Sequence, residues 1–387
     1  MQFSERMAHI KPSATLTINA KALELKSQGV DVTSLAIGEP NFPTPAHVCD
    51  AAKQAIDEGF TRYTAVPGIP PLREEIAGYF KRAYGVDVAP DCTIASNGGK
   101  QSLYNLFAAL LNDGDEVLIP SPYWVSYPDM VYLNGGVPVA VKAPASQGFK
   151  VTVEQLEAAL TPKAKILVFN SPSNPTGACY SVSERDAIVK WALDRGLFII
   201  ADEIYDQLVY EPNKPSSIIV WWKQYPDRIA VVNGLAKSFA MTGWRVGVII
   251  AEPTLIATMN QINGSLIYSA PSISQRAAIA ALDNRARIRE RYIKAYRERI
   301  FYSADRLEKI PYLSLVRPKG TFYLFPGVEK TGLSAGEFCK ELLERAHILV
   351  SPGDVFGLAG KQHFRIACTV DIEKLREAYD RMEALRF

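Results

Sequence analysis

Cysteine is scarce and scattered: Cys49, Cys92, Cys179, Cys339 and Cys368 form no CxxC pair and no disulfide-like spacing, which points to a reducing, cytoplasmic setting. Long apolar runs are missing too. No run, residues 246–251 included, approaches the length needed to span a bilayer, and the opening MQFSERMAHIKPS has Glu5, Arg6 and Lys11 but no apolar stretch of signal-peptide length. Neither membrane insertion nor secretion is expected. Nor is there an excess of one charge: 43 Lys and Arg face 41 Asp and Glu, a formal net charge of +2, so no extended basic field is available for nucleic acid. Low-complexity stretches and fixed-period repeats are absent, and the prolines and glycines are dispersed rather than pooled in a linker.

What remains is a chain of 387 residues, 48% hydrophobic and 22% charged, enough for a large core and for two or three domains. From about residue 93, short β-branched runs (93–95, 116–119, 166–169, 197–201, 229–232 and 246–250) alternate with helix-like segments at 103–111 and 183–194. That order predicts an α/β domain around a mainly parallel sheet, in which ligands gather beyond the carboxyl ends of the strands. After Asn284 the pattern changes to a long charged helix, then a strand-like 320–325 and further helix. This reads as a second, smaller domain joined by the N-terminal segment.

The residues just past the strands carry the chemistry. NGLAKSFAMTGWRVG, residues 233–247, holds Lys237 in a small-residue loop where desolvation would lower its pKa and free its amine for Schiff-base chemistry, and Arg245 could grip a phosphate. A solvated surface lysine is the plainer alternative. SNGGKQSL offers Gly98, Gly99 and Lys100 at a helix start, which suits a phosphate or is simply a glycine-rich turn. Asp202 ends the apolar strand LFIIA, where a buried carboxylate needs a cation such as a protonated pyridine nitrogen, unless it caps a helix. NSPSNPTG, residues 170–177, is a proline-stiffened turn after another buried strand; Trp124 in SPYWVSY is either core or a stacking platform; and Arg365 in HFRIACT requires an anion, ordinarily a structural salt bridge.

The spacing small–apolar–small–Lys237, then Gly243, Arg245 and Gly247, together with these elements in this order, resembles the class I, fold-type I pyridoxal-phosphate aminotransferases, closest to their bacterial aspartate, aromatic and prephenate branch. The resemblance runs over about residues 12–379. It implies an α/β fold with a large cofactor-binding domain at 45–285 and a smaller α/β domain built from 1–44 and 286–387. It implies that Lys237 bears pyridoxal 5'-phosphate and shuttles the substrate's α-proton, while Asp202 holds the pyridinium and Tyr205 and Asn174 meet the phenolic oxygen. Trp124 would stack on the ring; Gly99, Lys100 and Arg245 would hold the phosphate. Arg365, with Gly38 and Asn174, would bind the substrate carboxylate. Tyr63, in TRYTAVPGIPPLR, would reach the phosphate of a neighbouring subunit in a homodimer with shared sites.

For substrate, Lys100 resembles a lysine that meets a distal carboxylate, which favours aspartate or glutamate by a ping-pong route. No arginine lies in residues 263–273, where many family members have one, and Tyr268 there suits an aromatic or prephenate-like side chain. Lys11 lies where close relatives have a substrate-adjacent lysine. A carbon–sulfur lyase of the same fold would retain Lys237 and Asp202, and a regulatory module of this fold would need a DNA-binding domain for which there is no room before the first motif.

Overall fold

The computed structural model describes residues 3–10, 14–283 and 285–387. After the short β1 (Thr33–Ser34), seven strands form one sheet: β2 (Thr93–Ser96), β3 (Glu116–Ser121), β4 (Val137–Lys142), β5 (Ala164–Asn170), β6 (Phe198–Asp202), β7 (Ile229–Gly234) and β8 (Gly247–Ile250), in the order β2-β8-β7-β6-β5-β3-β4. Only β8 runs against its neighbours; the other pairings are parallel.

The central strands read as nearly continuous apolar runs because helices cover both faces. The pleat sends alternate side chains to opposite sides. Ile166, Val168, Ile200, Ala230 and Val232 pack into one core with Leu103 and Phe107, whereas Leu167, Phe169, Ile199, Ala201 and Val231 enter the other. The edge strand β4, VPVAVK, is half exposed and contains Pro138, a residue that sheets accept at their edges. Its valines alternate at 137, 139 and 141, but the proline inside so short a run weakens the strand signal, and the strand is not among those expected from the sequence.

A smaller layer holds β9 (Tyr323–Leu324), β10 (Ile348–Leu349), β11 (Ser351–Pro352) and β12 (Phe364–Ala367). Strands β11, β12 and β9 form an antiparallel sheet, and β10 pairs in parallel with β1, Thr33 opposite Ile348. The two ends of the chain thus meet in one layer. Helices Ala335–Ala346 and Ile372–Glu383 bury Phe338, Leu342, Leu375 and Tyr379 against it. No helix among the described residues is long and apolar enough to cross a membrane.

Strand register places the site. Asn170 lies opposite Asp202, and Asp202 opposite Val232, so the ends of β5, β6 and β7 open on one crevice. Across the sheet, Gly247 on β8 passes directly against the Gly98–Gly99 turn: a Cβ there would strike the Gly98 carbonyl carbon and lie 2.6 Å from the Gly99 nitrogen. Both obstacles are backbone, so the turn itself must move. Gly247→Ala should therefore destabilise the protein by about 1–3 kcal/mol as an overpacked site. Gly243→Ala, which meets nothing within 4 Å, should stay within about 0.5 kcal/mol. Urea unfolding midpoints of the two variants check this.

Candidate active site

Beyond the strand ends lies a cavity of about 320 Å³ whose walls include Gly38, Gly99, Lys100, Trp124, Asn174, Asp202, Tyr205, Lys237, Arg245 and Arg365. The site residues expected from the sequence are on that wall except Tyr63 and Tyr268, with Lys11 outside the described residues.

Lys237 follows β7 in a tight turn, and its Nζ donates to the Gly38 carbonyl at 2.7 Å. Burial, followed by the Arg365 charge, lowers its pKa to about 8, with Glu39 pulling the other way. It is therefore not a solvated surface lysine. Glu39, next to Gly38, accepts a hydrogen bond from the Thr242 hydroxyl and so ties the N-terminal loop to the lysine loop.

Asp202 is 4% exposed at the end of β6. Its Oδ2 accepts from the Tyr127 hydroxyl at 2.6 Å and its Oδ1 from the Ile204 N–H at 3.2 Å. Among the described residues it has no cation at ion-pair distance, and burial raises its pKa, opposed chiefly by the Tyr127 hydrogen bond. Asn170 braces the neighbouring loop: its amide donates to the Asp202 carbonyl at 2.8 Å, and its Oδ1 accepts from the Asn174 N–H at 3.1 Å.

Arg365, on β12, donates to Asn174 Oδ1 at 2.9 Å and to the Ala36 carbonyl at 2.7 Å, and stacks over Tyr323 with 4.6 Å to the ring centroid. The salt bridge that sequence alone makes the ordinary explanation is not found among the described residues; neutral acceptors hold the guanidinium, and its Nε is buried without a partner. Tyr323 also shares a 3.0 Å hydrogen bond with Tyr205.

Arg245 adopts a left-handed backbone, φ 57°, a strained state for a side-chain-bearing residue. Its guanidinium donates to the Thr242 carbonyl at 2.9 Å and presses against Gly98, whose own φ of 84° and lack of a Cβ make the approach feasible. Helix Gly99–Leu110 starts at this point with no side-chain cap on its first turn, leaving N–H groups and a positive dipole end facing the cavity. Lys100 Nζ sits 5.1 Å from the Trp124 ring centroid, and burial, then Arg245, lowers its pKa.

Tyr63 stands apart. It is 87% exposed and packs on Tyr268, itself 44% exposed with φ 70°. Neither lines this cavity, and Lys11 lies outside the described residues. The sequence reading assigns nothing to Tyr127, Asn170, Tyr323 or Thr242, although all four line the cavity. Tyr127 is the last residue of SPYWVSY, and its spacing of three from Trp124 on a helix start was the available signal.

Comparison with known proteins places this geometry. The family model described as aminotransferase class I and II matches residues 30–382. The aspartate aminotransferase of Geobacillus stearothermophilus is 41% identical over 387 residues, 99% of this chain and 98% of that one. The aspartate/prephenate aminotransferase of Thermus thermophilus is 41% identical over 381 residues, covering 98% and 97%. The solved aspartate aminotransferase of Thermus thermophilus with maleate superposes with a TM-score of 0.92 at 40% identity, covering 99% of both chains. With a full-length match in sequence and in fold, this chain belongs to the class I and II aminotransferases, enzymes that move an amino group between an amino acid and a 2-oxo acid.

Proposed function

We propose that the cavity holds pyridoxal 5'-phosphate on Lys237 and that the protein, a cytoplasmic homodimer, transfers the amino group of aspartate or glutamate to a 2-oxo acid in two half-reactions. The observation that carries this reading is the charge of the wall: Lys100, Lys237, Arg245 and Arg365 against Asp202 alone. Such a cavity suits a ligand with several anionic groups and one cationic ring atom.

The fit is specific at both ends. Arg245 and the uncapped helix start at Gly99 would take the phosphate, the Arg245 guanidinium occupying the space that a Cβ at Gly98 would fill. Asp202, buried without a cation, would face the pyridine nitrogen, with Trp124 against the ring and Asn174 and Tyr205 at its phenolic oxygen. When bound, the cofactor draws electrons from the substrate's α-carbon and so weakens its C–H bond.

The chain's own groups do the rest. Arg365, already turned toward Asn174, binds the α-carboxylate. In the free protein, with a pKa of about 8, Lys237 is neutral in roughly a tenth of molecules at pH 7, far more often than an ordinary lysine; released from the cofactor, its amine would take the α-proton and deliver it to the cofactor's C4' carbon. Lys100, which feels Asp129 but makes no ion pair among the described residues, would meet a distal carboxylate; maleate, named with the solved Thermus thermophilus relative, is a four-carbon dicarboxylate. An aromatic or prephenate substrate is the second reading, favoured by the absence of arginine from residues 263–273. For the dimer, Tyr63, Leu266, Ile267 and Tyr268 offer an exposed apolar surface to a second copy.

The purified protein, loaded with pyridoxal phosphate, should absorb visible light. Aspartate should bleach that band with release of oxaloacetate and no ammonia; ammonia from cystathionine would make the enzyme a lyase, and Lys237→Ala should show neither the band nor turnover. Lys100→Ala should lower kcat/KM about tenfold for aspartate but less than threefold for phenylalanine, if it loses a charge pair worth about 1.4 kcal/mol. Equal losses would remove the dicarboxylate assignment. The pH dependence has a defined sign. The unfolded chain holds the lysine proton up to about its ordinary 10.5, and the folded chain releases it at about 8. Between those values the unfolded state binds more protons, so this group's share of stability rises with pH. Cofactor uptake by the free protein should accelerate through the same midpoint near 8, followed as growth of visible absorbance.

A further inference from the structure

Tyr127 belongs to helix Ser126–Leu133, three residues past Trp124, and is 1% exposed. Its ring is fixed by the core that contains Leu103, Leu106 and Ile119, and it meets Trp124 edge-on, 85° between planes and 5.4 Å between centroids. Its hydroxyl reaches Asp202 Oδ2 at 2.6 Å. Burial holds the phenol well above its ordinary pKa, so it is a donor at every physiological pH. One rigid side chain therefore touches both the aromatic wall and the buried acid.

We infer that Tyr127 is a positioning residue that keeps the Asp202 carboxylate ionised and turned into the cavity, and so determines on which atom a proton shared between Asp202 and a basic ring nitrogen resides. The inference rests on the cofactor reading above. A carboxylate buried at a strand end gains proton affinity from desolvation. Facing a pyridine nitrogen, such an acid competes for the proton and leaves the ring neutral and a weak electron sink. A permanent donor on Oδ2 opposes this by stabilising the anion, and the Ile204 N–H on Oδ1 adds a second fixed contact. With Oδ2 held by Tyr127 and Oδ1 by the backbone, rotation of the carboxylate would break both bonds.

Tyr127→Phe removes one oxygen and keeps the ring. In the full-length protein without cofactor, the carbon-13 titration of the Asp202 carboxyl, identified by its loss in Asp202→Asn, should move to higher pH by about one to two pH units for a lost hydrogen bond to a charged group. Tyr127→3-fluorotyrosine, a stronger donor of nearly the same shape, should move it to lower pH, a reversal that lost packing does not produce. In the loaded enzyme, kcat for aspartate should fall roughly 10- to 100-fold in the phenylalanine variant with KM changed less than about twofold. An Asp202 titration that is the same in all three proteins overturns the inference. If the wild-type protein takes up no pyridoxal phosphate, the cofactor reading fails, while the carboxyl titration still decides whether Tyr127 controls Asp202.

Discussion

Asn170 is the joint on which the site hangs. Its position opposite Asp202 is dictated by sheet register, and its side chain bonds both to the Asp202 carbonyl and to the Asn174 N–H. Asn174 in turn accepts from Arg365, which reaches the Ala36 carbonyl. A single hydrogen-bonded line therefore runs from the central sheet through the proline-stiffened loop to β12 and the N-terminal segment. Each link is between groups that are neutral except for Arg365, so the line positions the guanidinium without cancelling its charge. A partner carboxylate would have held it as firmly and cancelled that charge.

The same economy appears elsewhere on the wall. Arg245 keeps a left-handed backbone, a conformation that costs about 1–3 kcal/mol, and donates to the Thr242 and Asn97 carbonyls beside Gly98. Lys100 rests on an aromatic face, and Lys237 on a carbonyl. Four cations converge with one buried acid among them, an arrangement that is unfavourable for the fold itself because like charges repel in a partly desolvated space.

Much of this was legible in the sequence because the information is local. A β-branched run followed by a small, polar turn marks a buried strand and the residues just beyond it, which draws attention to Lys237, Asp202, Gly99 and the 170–177 turn, while the roles expected of Lys237 and Asn174 come from the family resemblance. What resists such reading depends on partners far along the chain. Arg365 looks like half of a salt bridge until Asn174 and Ala36 are beside it. Tyr127 and Tyr323 look like ordinary core aromatics, and only their hydroxyls, aimed at Asp202 and Tyr205, set them apart. β4 alternates valines at 137, 139 and 141, but Pro138 within the run argues against a strand except at a sheet edge, which sequence alone does not reveal.

The pairing of Thr33 with Ile348 has a consequence for how the molecule comes into being. A ribosome adding about 5–20 residues per second delivers Ile348 roughly fifteen seconds to a minute after Thr33. Throughout that interval β1 has no strand to lie beside, and Ala36, the acceptor of Arg365, has no guanidinium to receive. The nascent chain can complete its central sheet well before its binding site exists, so a ribosome stalled late in the message would present a folded sheet with a half-built, strongly cationic crevice.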